Sequence, residues 1–296
     1  MNDENLFTEI PKSSTRRVGI PILRNISRKF QVDGVYNRNS EKAVLFPEIK
    51  FYDEPYRLAS ACDIIFVCLT GDSACYSFFL GERGLLSTIK ANSIVVNLST
   101  TSVSLAAELS VKCTEAAVNY LEATMLGDAR MAMERQITSL VSGDQASYGK
   151  VSGIIDAYSS QKHFLASPHG SVKMKLIADQ LSATILASSL ESVVAAERLR
   201  IPRDKAIEIL SQGPCSSDIL NLKKDTILKA EFLPGTSLRD LTCSMKGVEE
   251  LSAEPGLSMP IASVSNSIYR SAMLLGLGNL DYSAVLKAFL HLDGRL

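Results

Sequence analysis

Two runs in the first half of the chain, Asp63–Leu69 (DIIFVCL) and Ser93–Leu98 (SIVVNL), are almost wholly apolar and rich in β-branched residues. Runs of this kind suit strands that are buried on both faces. Gln31–Tyr36 (QVDGVY) reads as a further strand that stops at the polar cluster Asn37–Ser40, and Asn119–Thr124 and Ile137–Ser142 are weaker candidates. Helical patterns lie between them at Ile20–Phe30, Ala74–Gly81 and Ser102–Ala117. Strand, helix and strand at this spacing mean βαβ units and a mostly parallel sheet. Right-handed crossovers then place ligands at the carboxyl ends of the strands.

The second half changes character. Gln161–Gly170 (QKHFLASPHG) is short, polar and proline-bearing, and reads as a boundary. Val172–Leu199 then runs without Gly or Pro, a length of roughly 42 Å as a helix. Its alanines (Ala178, Ala183, Ala187, Ala195, Ala196) let other helices approach closely, and its apolar girth predicts burial. Ile201-Pro202 ends it, and helices are expected at Arg203–Ser211, Cys215–Lys229, Ser237–Ala253, Met259–Leu275 and Tyr282–His291. The expected architecture is an α/β Rossmann-like domain over residues 1–165 and an all-helical substrate and dimerisation domain over 166–296. Whether residues 1–13 supply the first strand is open at this point.

Several function classes are disfavoured. The net charge is −1 with both signs mixed along the 296 residues, so no basic stripe invites nucleic acid or an anionic membrane. The six cysteines are scattered with no C-x-x-C spacing, which argues against zinc and against a disulfide scaffold. They are expected to be mostly buried small hydrophobes. The three histidines are too spread for a metal cage, so no metal is expected. The opening residues MNDENLFTEIPK carry no secretory pattern, and no stretch of about 18 uncharged apolar residues occurs. The expected address is the cytosol.

The segments VGIPILRN, VYNRNSEKA, DIIFVCLTGD, LGERGLL, VVNLSTTS, VKMKLIADQ and MKGVEEL follow one another in order. Together they resemble the β-hydroxyacid dehydrogenase family, which includes 3-hydroxyisobutyrate and 6-phosphogluconate dehydrogenases. The resemblance covers roughly residues 14–290 and implies NAD(P), a small hydroxyacid-type substrate and a homodimer or homotetramer. Where the family has a G-x-G-x-x-G turn for the cofactor pyrophosphate, this chain has Ser14, Thr15, Arg16, Arg17, Val18 and Gly19. Only Gly19 survives, and Pro11 disfavours a central strand just before the turn. Two readings stand: Arg16 and Arg17 supply positive charge in place of backbone contacts, or the turn has lost its role or its strand. Asn37-Arg38 follows the second strand without an acid for the ribose of NAD. An arginine there suits a 2′-phosphate, so NADP(H) is expected over NAD(H); a solvated turn residue is the plain alternative. Leu69 and Thr100 are further cofactor positions under the resemblance. Ser99, beside Thr100, matches a substrate contact, although a Ser/Thr cluster at a strand end is also ordinary helix-capping chemistry.

The family's substrate turn D-A-P-V-S-G-G reads Glu122, Ala123, Thr124, Met125, Leu126, Gly127, Asp128, keeping Gly127. Further on, Met131-Ala132 and Arg135-Gln136-Ile137 replace the family's small residues. Either the substrate differs or there is none. The resemblance makes Lys175 the acid and base on the substrate hydroxyl, with Asp179 where the family has asparagine. Residues four apart share a helix face, and a carboxylate there favours the ammonium form, the acid role and carbonyl reduction; the plain alternative is a surface ion pair. Ahead of them the family's two glycines read His169, Gly170 and Ser171, one residue out of step. Lys246 matches a lysine near the cofactor, but its partner is Gly247 rather than aspartate. The leading expectation is an NAD(P)-dependent oxidoreductase of a small hydroxyacid or its carbonyl form. A non-catalytic relative serving as an oligomeric interaction module, and a truncated gene product, are the alternatives.

Overall fold

The computed structural model describes residues 6–9, 18–233, 235–252 and 256–294, with residues 6–9 and 42–43 described as backbone. It divides into two compact units, Met1–Lys175 and Leu176–Leu296.

The first unit is built on one eight-stranded sheet, in the spatial order β3-β2-β1-β4-β5-β6-β7-β8. The strands are β1 (Leu6–Glu9), β2 (Val32–Tyr36), β3 (Phe51–Tyr52), β4 (Ile64–Val67), β5 (Ile94–Asn97), β6 (Asn119–Leu126), β7 (Ile137–Gly143) and β8 (Ser159–Phe164). All neighbours pair in parallel except β6 with β7. The helices between them are α1 (Gly19–Ser27), α2 (Pro55–Ala59), α3 (Asp72–Leu80), α4 (Val103–Glu115), α5 (Ala129–Met133) and α6 (Gln145–Ile155). The apolar runs behave as expected of strands covered on both sides. Ile65 and Val67 enter one apolar cluster with Phe79, Val95 and Leu109, while Ile64 and Phe66 enter the other with Ile22, Val96 and Leu121. Successive side chains of one strand thus feed two cores, which leaves no polar position in it.

The question left open over residues 1–13 is answered: β1 lies at LFTE, upstream of the IPKSS segment, and pairs with both β2 and β4. The first four residues of the expected boundary segment, Gln161–Phe164, belong to a strand, since Ser159–Phe164 pairs in parallel with β7 at the sheet edge. An edge strand has one open side, and SSQKHF is accordingly polar and partly exposed. The α6 helix went unread because Gly149 and Gly153 dilute its propensity; the Asp144 side chain accepts from Ser147 N–H (2.7 Å) and starts it.

The second unit is helical among its described residues. It holds most of α7 (Gly170–Arg198), then α8 (Arg203–Leu210), α9 (Asp218–Lys229), α10 (Leu238–Ser252), α11 (Pro260–Leu274) and α12 (Val285–Leu292). Leu186, Leu190, Val193, Ile207, Leu220, Ile227, Tyr269 and Phe289 share its core, and Tyr269 Oη donates to the Ala183 carbonyl (3.0 Å). The expectation that α7 is buried around its girth is too strong. Ala183, Leu186, Ala187 and Leu190 are buried, but Met174, Ile177 and Leu181 remain exposed, so the helix has one apolar face more than this core uses. Four cysteines are buried, and Cys215 and Cys243 are exposed. Among the described residues no helix is long and apolar enough to cross a membrane.

Candidate functional site

The sheet order reverses direction between β1 and β4, and ligands of open α/β sheets sit at the carboxyl ends of strands beside such a reversal. Of the expected cofactor residues, Asn37, Arg38, Leu69 and Thr100 follow the ends of β2, β4 and β5, Gly19 opens α1 after β1, and Lys246 lies apart from them in sequence on α10. Gly19 opens α1 and is buried, and residues 10–18 join it to β1; Arg16 and Arg17 lie outside the described residues. Asn37 and Arg38 follow β2. Asn37 is buried and its Oδ1 accepts from Asn39 N–H (2.9 Å), whereas Arg38 is exposed.

The ends of β4 and β5 are laced together. The Leu69 N–H donates to Ser99 Oγ (2.8 Å), Thr70 and Thr100 form a parallel bridge, and Ser99 N–H donates to Asn97 Oδ1 (3.0 Å). Ser99 is buried, so its hydroxyl is a fastener between two strand ends. Among the described residues, three buried polar atoms just past the ends of β2, β4 and β5 have no hydrogen-bond partner: Asn37 Nδ2, Thr70 Oγ1 and Thr101 Oγ1. Buried donors and acceptors are seldom left idle in folded proteins, and other such atoms occur elsewhere in the chain, Ser93 Oγ and Tyr158 Oη among them.

The turn after β6 keeps Gly127 because its backbone needs it. Its φ is +138°, and an added Cβ would lie 2.7 Å from Ile137 Cδ1. Asp128, which replaces a family glycine, starts α5 by accepting from Met131 N–H (2.9 Å).

Next to this turn lies a polar network that sequence reasoning did not assemble. His169 Nδ1 is 2.6 Å from Glu122 Oε1, and Ser142 Oγ donates to Glu122 Oε2 (2.9 Å). The first turn of α7 joins in, with Ser171 N–H donating to Ser142 Oγ (3.1 Å). Ser171 Oγ accepts from Thr124 N–H (3.0 Å) and donates to the Leu140 carbonyl (2.5 Å), and Thr124 Oγ1 donates to the Ser171 carbonyl (3.0 Å). Thr124 and Leu140 are paired residues of β6 and β7. Glu122, Thr124, Ser142 and Ser171 are all buried. A buried carboxylate is tolerable here because a histidine, a hydroxyl and the amino end of a 29-residue helix surround it. The signal in the sequence was a pair of matched departures, Glu122 for a shorter acid and His169 for a glycine.

Lys175 lies one turn past Ser171 on α7 and is partly exposed; Asp179 follows one turn later on the same helix and is also partly exposed. Lys246 on α10 is exposed, and Gly247 beside it is buried against Leu176, where an added Cβ would lie 2.9 Å from Leu176 Cδ1 and require that side chain to shift. Among the described residues no cluster of three His, Cys, Asp or Glu side chains fits a metal ion.

Comparison with known proteins gives two family models. Residues 17–167 match the NAD binding domain of 6-phosphogluconate dehydrogenase, and residues 170–289 match the NAD-binding domain of NADP-dependent 3-hydroxyisobutyrate dehydrogenase. The cytokine-like nuclear factor N-PAC of Homo sapiens is 26% identical over 276 residues, 93% of this chain and 50% of that protein. The chain thus spans about half the length of these curated relatives. The chloroplastic glyoxylate/succinic semialdehyde reductase 2 of Arabidopsis thaliana is 24% identical over 92% of this chain and 76% of its own length. The crystal structure of 3-hydroxyisobutyrate dehydrogenase from Salmonella typhimurium superposes with a TM-score of 0.84 at 20% identity, covering 96% of this chain and 99% of that one.

Proposed function

From the premise that the chain belongs to the β-hydroxyacid dehydrogenase family, we propose that it is an NADP(H)-dependent reductase of a small carbonyl acid, the oxidised form of a hydroxyacid. The observation that carries this reading is the placement of Lys175. It stands on the helix that the sheet grips at Ser171, one turn beyond the grip, partly open to solvent. A lysine on a surface helix is ordinary; this one follows a helix start fixed by a buried network, which gives its backbone the defined position that proton transfer requires.

The residues at the carboxyl ends of β2, β4 and β5 fit a nicotinamide dinucleotide. Asn37 Nδ2 offers an idle donor, Thr70 and Thr101 offer idle hydroxyls, and Arg38 offers an exposed guanidinium suited to a 2′-phosphate. When bound, that cofactor supplies the hydride. Lys175 gives its proton to the oxygen that gains charge as the carbonyl is reduced, and recovers it from solvent. Asp179, one turn on, is the anionic neighbour that suits the acid role. Gly127, in an exposed turn, is the candidate for a substrate contact, and Ser99 supports the site as the fastener between β4 and β5. The working protein is a homodimer or homotetramer in the cytosol, with a small molecule as its substrate.

A second reading rests on a specific observation. Residues 10–18, IPKSSTRRV, contain no glycine where the family places its pyrophosphate turn. A family member without a usable turn is a non-catalytic interaction module. Titration with NADPH and NADH, following nicotinamide fluorescence and melting temperature together, separates the two. Saturable binding with a raised melting temperature, followed by turnover that Lys175→Ala abolishes, supports the reductase. A folded chain that binds neither cofactor up to millimolar concentration retires it, as does full turnover in Lys175→Ala.

A further inference from the structure

The Glu122–His169 pair belongs to no step described above, yet it closes a ring of contacts around the amino end of α7. His169 has φ +54°, in the left-handed region that costs most side chains about 1 kcal/mol or more. Glycine is the undemanding occupant of such a position, so a histidine there is retained for what its side chain does. That side chain reaches Glu122 on β6, and Glu122 in turn holds Ser142 on β7, which receives the Ser171 N–H. Among the described residues His169 has no other side-chain partner.

We propose that His169 and Glu122 are positioning residues: their contact locks the first turn of α7 to β6 and β7 and so fixes where Lys175, one turn along, presents its amine. The carboxylate accepts from Nδ1, which sets the imidazole tautomer and aims the ring. Without this link the hydrogen bonds that tie the first turn of α7 to β6 and β7, among the described residues, all run through Ser171. A displacement of about 1 Å at a proton-transferring group costs up to about 100-fold in rate. The inference rests on the reductase reading for its kinetic consequence, but not for its geometric one.

The test compares two variants of the full chain that both suit a left-handed backbone. His169→Gly removes the link and relieves the backbone strain but leaves the buried Glu122 with Ser142 alone, so the fold of each variant is checked by circular dichroism and melting temperature before it is compared. His169→Asn keeps an N–H donor within reach of Glu122, since asparagine is the side chain best tolerated at such φ values. Glu122→Gln is the reciprocal change at constant volume. Lysines are reductively ¹³C-methylated, and the Lys175 dimethylamine resonance is assigned with Lys175→Arg. The Lys175 resonance shifts or broadens in His169→Gly and Glu122→Gln and stays near the parental position in His169→Asn. Turnover falls about 10- to 100-fold in His169→Gly, with KM for cofactor unchanged, and recovers in His169→Asn. An unmoved Lys175 resonance in His169→Gly overturns the proposal, and so does equal loss in the Gly and Asn variants. If the parental chain turns over no carbonyl substrate, the reductase reading fails on its own, and the resonance still decides the positioning role.

Discussion

Ser171 is the joint on which the start of α7 turns, and its removal has a calculable cost. Its hydroxyl serves two buried backbone groups at once, accepting from Thr124 N–H at 3.0 Å and donating to the Leu140 carbonyl at 2.5 Å. Ser171 is fully buried, so no water stands ready to replace the hydroxyl. A buried donor or acceptor left idle costs about 1–3 kcal/mol. Ser171→Ala therefore destabilises the first unit by about 2–4 kcal/mol, with the retained contact from Thr124 Oγ1 to the Ser171 carbonyl keeping the value below the simple upper sum. With a urea dependence of about 1–3 kcal/mol per molar, the midpoint falls by roughly 1–2 M. Urea titration by circular dichroism reads the total, and amide exchange at Thr124 reads the site. A loss under about 0.5 kcal/mol with unchanged Thr124 protection would refute the account of how the helix is anchored.

Three further outcomes follow from single features. Asp281 is 1% exposed in its side chain and binds Lys223 Nζ at 2.8 Å, with the N–H groups of Gly235 and Ser283 donating to it; Asp281→Ala strands the Lys223 charge and costs the second unit about 3–5 kcal/mol in urea unfolding. Burial pushes the thiols of Cys62 and Cys113 up to about 12, so at pH 8 a disulfide reagent titrates Cys215 and Cys243 in the folded chain and those two only after unfolding. Because both folded values lie above the ordinary thiol value of about 8.5, their contribution to stability is whole below that pH and is lost as pH rises toward 12, which alkaline unfolding curves check. Gly247→Asp, which restores the residue of the family motif, lowers the melting midpoint by about 5–10 °C, since its Cβ would meet Leu176 and its carboxylate would be buried.

The sequence spoke most clearly where burial on both faces removes choice. Ile64–Val67 and Ile94–Asn97 had to be central strands, and they are. It spoke least where an element is short or half open. Strand β1 has four residues, two of them polar, too short and too mixed a run to stand out among residues 1–13. Strand β8 hides in a polar stretch because an edge needs no second apolar face. At the site, the resemblance named single positions but not their partners, because pairing across β6, β7 and α7 is set by three segments far apart in sequence. Glu122, Ser142 and His169 become one object only when the sheet brings them together.

The departures from the family motifs sort by physical cause. Asp128 takes the place of a glycine and becomes the cap of α5. His169 takes the place of another and reaches Glu122. Gly247 takes the place of an aspartate and is buried against Leu176. Each of these is answered inside its own unit by a bond or by packing, so each changes how a segment is fastened and leaves the fold as it was. Ser99 follows the same logic in reverse, a retained residue whose hydroxyl is spent holding the Leu69 N–H. The substitution of the glycine turn by IPKSSTRRV is of another kind, because what such a turn serves is a ligand's phosphates and not a neighbouring strand. The proposed reductase activity therefore turns on two places, the segment before Gly19 and the amine of Lys175. A chain that binds NADPH but shows a Lys175-independent rate would separate them, placing the loss at the lysine and leaving the turn as working.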